Sequence, residues 1–161
     1  GTDVRRITHR VGYDGGAFFS PDGTKIVWRA GYPVTAADTA DYESLLANHL
    51  VRPSHMELWV ANADGSDPHQ VTHLEGASFA PYFLPDGKRI IFGSNYLDPR
   101  GGDFDLFIVN VDGTGLERIT ASPQFDGFPM FNKDGSKLVW ASNRHGAHPG
   151  DINLFIADWV N

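Results

Sequence analysis

Two aspartates and a serine, Asp14, Ser78 and Asp126, hold equivalent places in an internal repeat, followed in turn by Gly15, Phe79 and Gly127. Carboxylate and hydroxyl oxygens gathered in this way are ligands for a hard cation, Ca²⁺ foremost. A cluster of carboxylates would equally attract the basic end of a peptide. The plainer alternative is that Asp14 and Asp126 accept hydrogen bonds from nearby backbone. His9 and His73 form a second equivalent set, each directly after a threonine, with Ala121 in the third copy. Imidazoles from several repeats could hold a transition metal, although a loop histidine is more often a surface hydrogen-bonding group. His55, His69, His145 and His148 show no such pattern. The run Asn62-Ala63-Asp64-Gly65-Ser66-Asp67 has half the ligands of a calcium loop but neither its closing glutamate nor flanking helices. Its recurrence at Asn110 and Asn132 marks hairpin turns instead. Gly76-Ala77-Ser78-Phe79-Ala80 lacks the final glycine of a nucleophile elbow. No glycine loop stands between a strand and a helix to cradle phosphate. With no catalytic set in view, the expectation is a non-enzymatic chain.

Composition narrows the field further. At 161 residues, with 41% apolar and 20% charged, the chain reads as one globular domain. It has no cysteine, which excludes disulfides and thiol chemistry. A net charge of −7 without a basic stripe argues against nucleic acid. No apolar run approaches the length of a membrane span. The opening Gly1-Thr2-Asp3-Val4 lacks the basic and apolar stretches of a signal peptide, as in a cytosolic, mature or trimmed chain.

The elements that must position these residues are short strands. Ser20-Pro21-Asp22-Gly23, Leu84-Pro85-Asp86-Gly87 and Lys133-Asp134-Gly135 form one set of turns; Asp64-Gly65 and Asp112-Gly113 belong to another. Asp-Gly between apolar runs is a strong hairpin signal, and the pair tolerates the positive φ of a type I′ turn. First strands are predicted at 17–19, 81–83 and 129–131, second strands at 25–30, 89–93 and 137–141, and third strands at 57–62, 105–110 and 153–158. The second and third strands are apolar on both faces, as in stacked sheets. The fourth are the polar Ile/Val-Thr segments ending at Thr8, Thr72 and Thr120. Four-stranded meanders recurring at about 40–50 residues predict an all-β fold of propeller blades.

These residues resemble the β-propeller repeats of the TolB family and of propeller domains attached to serine peptidases. The match is carried by Phe19-Ser20-Pro21-Asp22-Gly23-Thr24-Lys25-Ile26-Val27, by Leu58-Trp59-Val60-Ala61-Asn62-Ala63-Asp64-Gly65-Ser66 and by Ala141-Ser142-Asn143-Arg144. It covers nearly all of the chain outside 31–55. The resemblance implies six blades, a periplasmic or other extracytoplasmic setting, and a protein-binding or scaffold role in a cell-envelope system. It also implies two alternatives: a calcium-dependent propeller hydrolase or lactonase, with Asp14 and Asp126 as ligands and His9 or His73 as base, or the isolated propeller domain of a serine peptidase.

Only three blades are encoded: blade 1 over about 13–73, blade 2 over about 77–120 and blade 3 over about 125–158. The frame is offset, because a fourth strand opens the chain at residues 3–8 and none follows 153–158. Three blades in an arc would leave two apolar faces in water, which stable monomers avoid. The expectation is a homodimer with twofold symmetry that closes a six-bladed ring, residues 3–8 of one copy pairing with 152–158 of the other. Asp14, Ser78 and Asp126 would then line the channel mouth. The second-to-third loops, 31–55, 94–104 and 142–151, carry the irregular lengths, so any site belongs on their face. Within 31–55, Thr35 with Asp38 reads as a capping box, and Tyr42, Leu45, Leu46 and Leu50 recur at helical spacing. A helix over 36–49 follows, with an apolar stripe that needs cover from the loop face or the partner.

Overall fold

The computed structural model describes residues 1–160. Three antiparallel sheets stack one after another. The first holds β1 (Tyr13–Phe19), β2 (Lys25–Gly31), β3 (Glu57–Asn62) and β4 (His69–Gln70), with helix α1 (Ala36–Leu46) inserted between β2 and β3. The second holds β5 (Ser78–Phe83), β6 (Arg89–Ser94), β7 (Asp105–Asn110) and β8 (Glu117–Arg118). The third has β9 (Asp126–Phe131), β10 (Lys137–Ser142) and β11 (Asn153–Asp158), and no fourth strand among the described residues.

Alternation along the strands decides which side chain faces which neighbour. Val27, Leu58 and Val60 of the first sheet pack against Phe83, Ile90, Phe92, Phe107 and Val109 of the second. The other face of the second sheet, Ile91, Leu106 and Ile108, packs against Phe131 and Leu138 of the third. Ile26, Trp28, Ala30 and Ala61, on the outer face of the first sheet, are covered by Ile7, Tyr32 and Trp59.

The first strand of each sheet carries a bulge in the same place, between Gly15 and Phe18, Phe79 and Tyr82, and opposite Val139 and Ala141. The bulged residues Gly16, Ala80 and Phe128 have φ of 65, 48 and 54°. Glycine accepts this at no cost, whereas a phenylalanine there is strained.

The Asp-Gly turns are not type I′. Only their glycines have positive φ, 71° at Gly23 and 66° at Gly87, while the aspartates do not. Pro21 and Pro85 fix a negative φ, so Gly23 N–H returns to Ser20 C=O at 2.8 Å in a type I-like turn closed by a left-handed glycine. Each aspartate then accepts from the backbone two residues on, as Asp22 does from Thr24 N–H at 3.0 Å.

Residues 3–8 form no strand in the single chain, because no third strand lies beside them. They nevertheless hold the expected place in the repeat. Ile7 lies over Gly65, where an added Cβ would meet its carbonyl oxygen at 2.9 Å, as Val71 lies over Gly113 at 2.7 Å. The predicted helix ends at Leu46, not residue 49, and His49 turns the chain with φ 59°. Its capping box is present, Asp38 N–H to Thr35 Oγ1 at 3.1 Å and Thr35 N–H to Asp38 Oδ2 at 2.9 Å. No residue of α1 is buried. Tyr42 hydroxyl donates to Gly12 C=O at 2.7 Å and ties it to the first sheet.

Candidate functional site

The starts of the three first strands lie at the end of the sheets that carries the long loops. Asp14 accepts from Trp28 Nε1 at 2.9 Å and from the Tyr32 hydroxyl. Burial, then that bond to Asp14, push the Tyr32 phenol up to about 12. Asp126 is fully buried; its Oδ1 accepts from Trp140 Nε1 at 3.2 Å and its Oδ2 from Arg144. Ser78 Oγ donates to Ser94 Oγ at 3.2 Å. Tryptophan stands on the second strand wherever aspartate stands on the first, and in the second sheet, where Ser78 replaces the aspartate, Phe92 holds the tryptophan's place. The carboxylates thus tie first strand to second inside the first and third sheets. A cation at Asp126 would have to displace Arg144. Among the described residues, no three His, Asp or Glu side chains converge as metal ligands.

His73 lies on the surface with Nδ1 3.0 Å from Gln70 Nε2, and His9 lies at the rim of a recess with Arg10, Trp28 and Trp59. The threonines before them do structural work that the repeat did not announce. Thr72 Oγ1 accepts from Leu58 N–H at 2.8 Å and donates to Glu57 Oε2 at 2.5 Å. Glu57 Oε1 also accepts from Leu74 N–H and Glu75 N–H, at 2.7 and 2.9 Å. Thr120 repeats this, accepting from Leu106 N–H at 2.9 Å and donating to Asp105 Oδ1 at 3.3 Å. Burial pushes the Asp105 carboxyl up, against the pull of Arg118 at 2.5 Å. Asn95 and Asn143 work similarly at the first-strand starts, taking Ala77 N–H at 2.8 Å and Phe125 N–H at 2.7 Å.

Two cavities on the loop side were not foreseen. One, of about 510 Å³, lies between α1 and the first sheet, with Asp38, Asp41, Tyr42 and His55 in its wall. The other, of about 250 Å³, is walled by Phe79, Phe104, Phe125 and Phe128 together with Arg29.

With three successive sheets of four, four and three strands and their first strands aligned, comparison with known proteins becomes decisive. The sequence pattern of the TolB beta propeller domain matches residues 43–149. The chain belongs to the TolB beta propeller domain family. TolB of Agrobacterium tumefaciens superposes with a TM-score of 0.66 at 26% identity, over 94% of this chain and 47% of that one. A puromycin-hydrolyzing peptidase of Mycobacterium tuberculosis shares the fold, with a TM-score of 0.65 at 16% identity over 96% of this chain and 22% of the peptidase. Dipeptidyl-peptidase 5 of Porphyromonas gingivalis is 36% identical over 76 residues, 47% of this chain and 9% of the peptidase. The chain therefore spans less than half the length of each of these relatives. As a TolB-type propeller its three sheets are blades, and the Asp–Trp pairs sit where the first strands of blades 1 and 3 begin. No helix among the described residues is long and apolar enough to cross a membrane.

Proposed function

We propose that this chain is a non-enzymatic protein-interaction module, half of a six-bladed ring that a second copy completes. One observation carries the ring: the outer face of blade 3. Met130, Leu154 and Ile156 are 41, 79 and 68% exposed. Their equivalents in blade 2, Tyr82, Leu106 and Ile108, are packed against blade 3. At the other end Phe19 is exposed, while its equivalents Phe83 and Phe131 are buried. An apolar face on blade 3, with Phe19 exposed at the other end of the arc, is what head-to-tail closure would cover. Residues 3–8 already run where a fourth strand from a preceding blade would run, so in the ring they add to β11 of the other copy. Thr8 then accepts from Leu154 N–H as Thr72 does from Leu58.

The interaction role rests on the loop side. Asp14 and Asp126 are committed to bonds within their blades, while the irregular loops present side chains to solvent. The family resemblance favours an extracytoplasmic partner. A mass of twice 17.7 kDa in sedimentation, reverting to 17.7 kDa in Leu154→Asp, is the expected result. A single-chain mass with a cooperative melt would sink the ring.

A second reading, the propeller domain of a peptidase, is favoured by the 36% identity with dipeptidyl-peptidase 5. Labelling of the natural full-length protein by a serine-directed fluorophosphonate decides between the two. The interaction-module reading expects no labelling.

A further inference from the structure

We propose that a recess on the outer face of blade 1 is the socket for Leu154 and Ile156 of a second copy of this chain. This rests on the ring reading above and adds which side chains meet. The recess, of about 290 Å³, is walled by Ile26, Trp28, Trp59 and Ala61, with Ile7 at one side and Arg10 at the rim. The repeat tells what fills it, because two junctions of the same kind are already filled within the chain. At the first, the equivalent residues of blade 2, Ile90, Phe92, Phe107 and Val109, pack in one cluster with Leu58 and Val60 of blade 1. At the second, Leu138 and Trp140 of blade 3 pack with Leu106 and Ile108 of blade 2. Leu154 and Ile156 hold the same third-strand positions in blade 3, yet they are among the most exposed apolar side chains of the molecule. The closing junction continues a series whose other two members are packed.

Two further observations single out a second copy as the occupant. The socket already holds the geometry of a filled junction: Tyr32 meets Trp59 edge-on at 5.1 Å, as Tyr96 meets Phe107 at 5.2 Å on the packed face of blade 2. Residue sizes are also matched across the closing junction. At the first junction the inserted residue is Val60 and the receiving ones are Val109 and Phe92; at the second the same positions are Ile108, Ala157 and Trp140. Ile156, Ala61 and Trp28 repeat the second set at all three positions. Isoleucine on one side goes with alanine on the other, and valine with valine, which keeps the volume of a close-packed interface nearly constant. Arg10 is the one departure. Leu74 holds its place at the first junction and packs into the core. Arg10 is exposed, with its guanidinium 4.2 Å over the Tyr32 ring and 5.0 Å over Trp59. It roofs the socket, and its hold on both rings strengthens when the second copy excludes water.

The test is a double-variant cycle read by sedimentation equilibrium. Ala61→Val copies Val109, and Ile156→Val copies Val60. Twofold symmetry places each change at both junctions of the ring, which doubles its effect. Ala61→Val should raise the dissociation constant at least about tenfold by overfilling the socket, and Ile156→Val at least about fivefold by underfilling it. The double variant restores the pairing of the first junction, so its constant should lie at least about fivefold below the product of the two single effects. Tryptophan fluorescence gives a readout that does not depend on how well Ala61→Val folds. Dilution of the parent through dissociation should move the emission to longer wavelength as the half-buried Trp59 meets water. Trp59→Phe, which copies Phe107, should lose most of that shift. A parent of single-chain mass removes the ring and this inference together. A dimer whose single effects multiply without coupling, or whose emission shift survives in full in Trp59→Phe, overturns the socket and leaves the ring standing.

Discussion

Replacing Thr72 with valine tests the physical reading of the repeat ending most directly. The side chain is 3% exposed and valine keeps its shape, so only the hydroxyl is lost. That hydroxyl is the acceptor for Leu58 N–H at 2.8 Å, and Leu58 is fully buried. Stranding a buried backbone donor costs about 1–3 kcal/mol. Glu57 loses its closest donor as well, at 2.5 Å, but keeps two backbone N–H groups, so this adds about 1 kcal/mol or less. The sum is about 2–3 kcal/mol. With a urea slope near 2 kcal/mol/M for a chain of this size, the unfolding midpoint should fall by about 1 M. Thr120→Val should behave similarly, since Thr120 receives Leu106 N–H at 2.9 Å. Thr8→Val is the control, because no third strand lies beside Thr8 in the single chain. It should cost almost nothing in a single-chain species and should weaken assembly where a ring forms. A Thr72→Val midpoint indistinguishable from the parent would refute the assignment of this hydroxyl as the third-strand cap.

The Asp–Trp pairs predict a coupled pair of substitutions. Asp14→Ser and Trp28→Phe should each destabilise by about 1–2 kcal/mol in urea unfolding, while the double variant, which copies Ser78 and Phe92, should recover at least about 0.5 kcal/mol of the sum. Acid should weaken the fold through the turn aspartates. Ser20, then Thr24, hold Asp22 down at about 2, and Ser66, Thr114 and Ser136 lower Asp64, Asp112 and Asp134. Folded values below the unfolded one mean that stability is complete above about pH 4 and is lost as pH falls toward 2, and Asp22→Asn should flatten part of that slope in urea melts. Calorimetric titration with millimolar Ca²⁺ should give no binding heat, because the donors around Asp126 already occupy both carboxylate oxygens.

The blade pattern was readable because each third strand is bounded by turns and is apolar on both faces, which fixed residues 57–62, 105–110 and 153–158 to the residue. First strands read too short, since the bulge at Gly15 and Phe79 breaks the alternation and hides their opening residues. The helix was legible from Thr35 and Asp38, but its spacing overstated the apolar stripe, of which Tyr42 and Leu45 are only half-buried and Leu46 is exposed. Asp14, Ser78 and Asp126 were rightly seen as equivalent. Their work was not legible, because the Trp partners lie fourteen residues on, across a hairpin, where a single sequence gives no pairing signal. The phenyl-lined cavity was not legible, because Phe79, Phe104, Phe125 and Phe128 come together only through the packing of neighbouring blades.

The glycine of each third-to-fourth turn sits beneath a carbonyl from the preceding repeat, Gly65 under Ile7 and Gly113 under Val71. This lends the fold a direction in time. As the chain leaves the ribosome, Ile7 and Val71 are synthesised before the turns they cover, so the closing turns of blades 1 and 2 each emerge onto a seat already made. Blade 1 can therefore settle against residues 3–8 while blade 3 is still unmade.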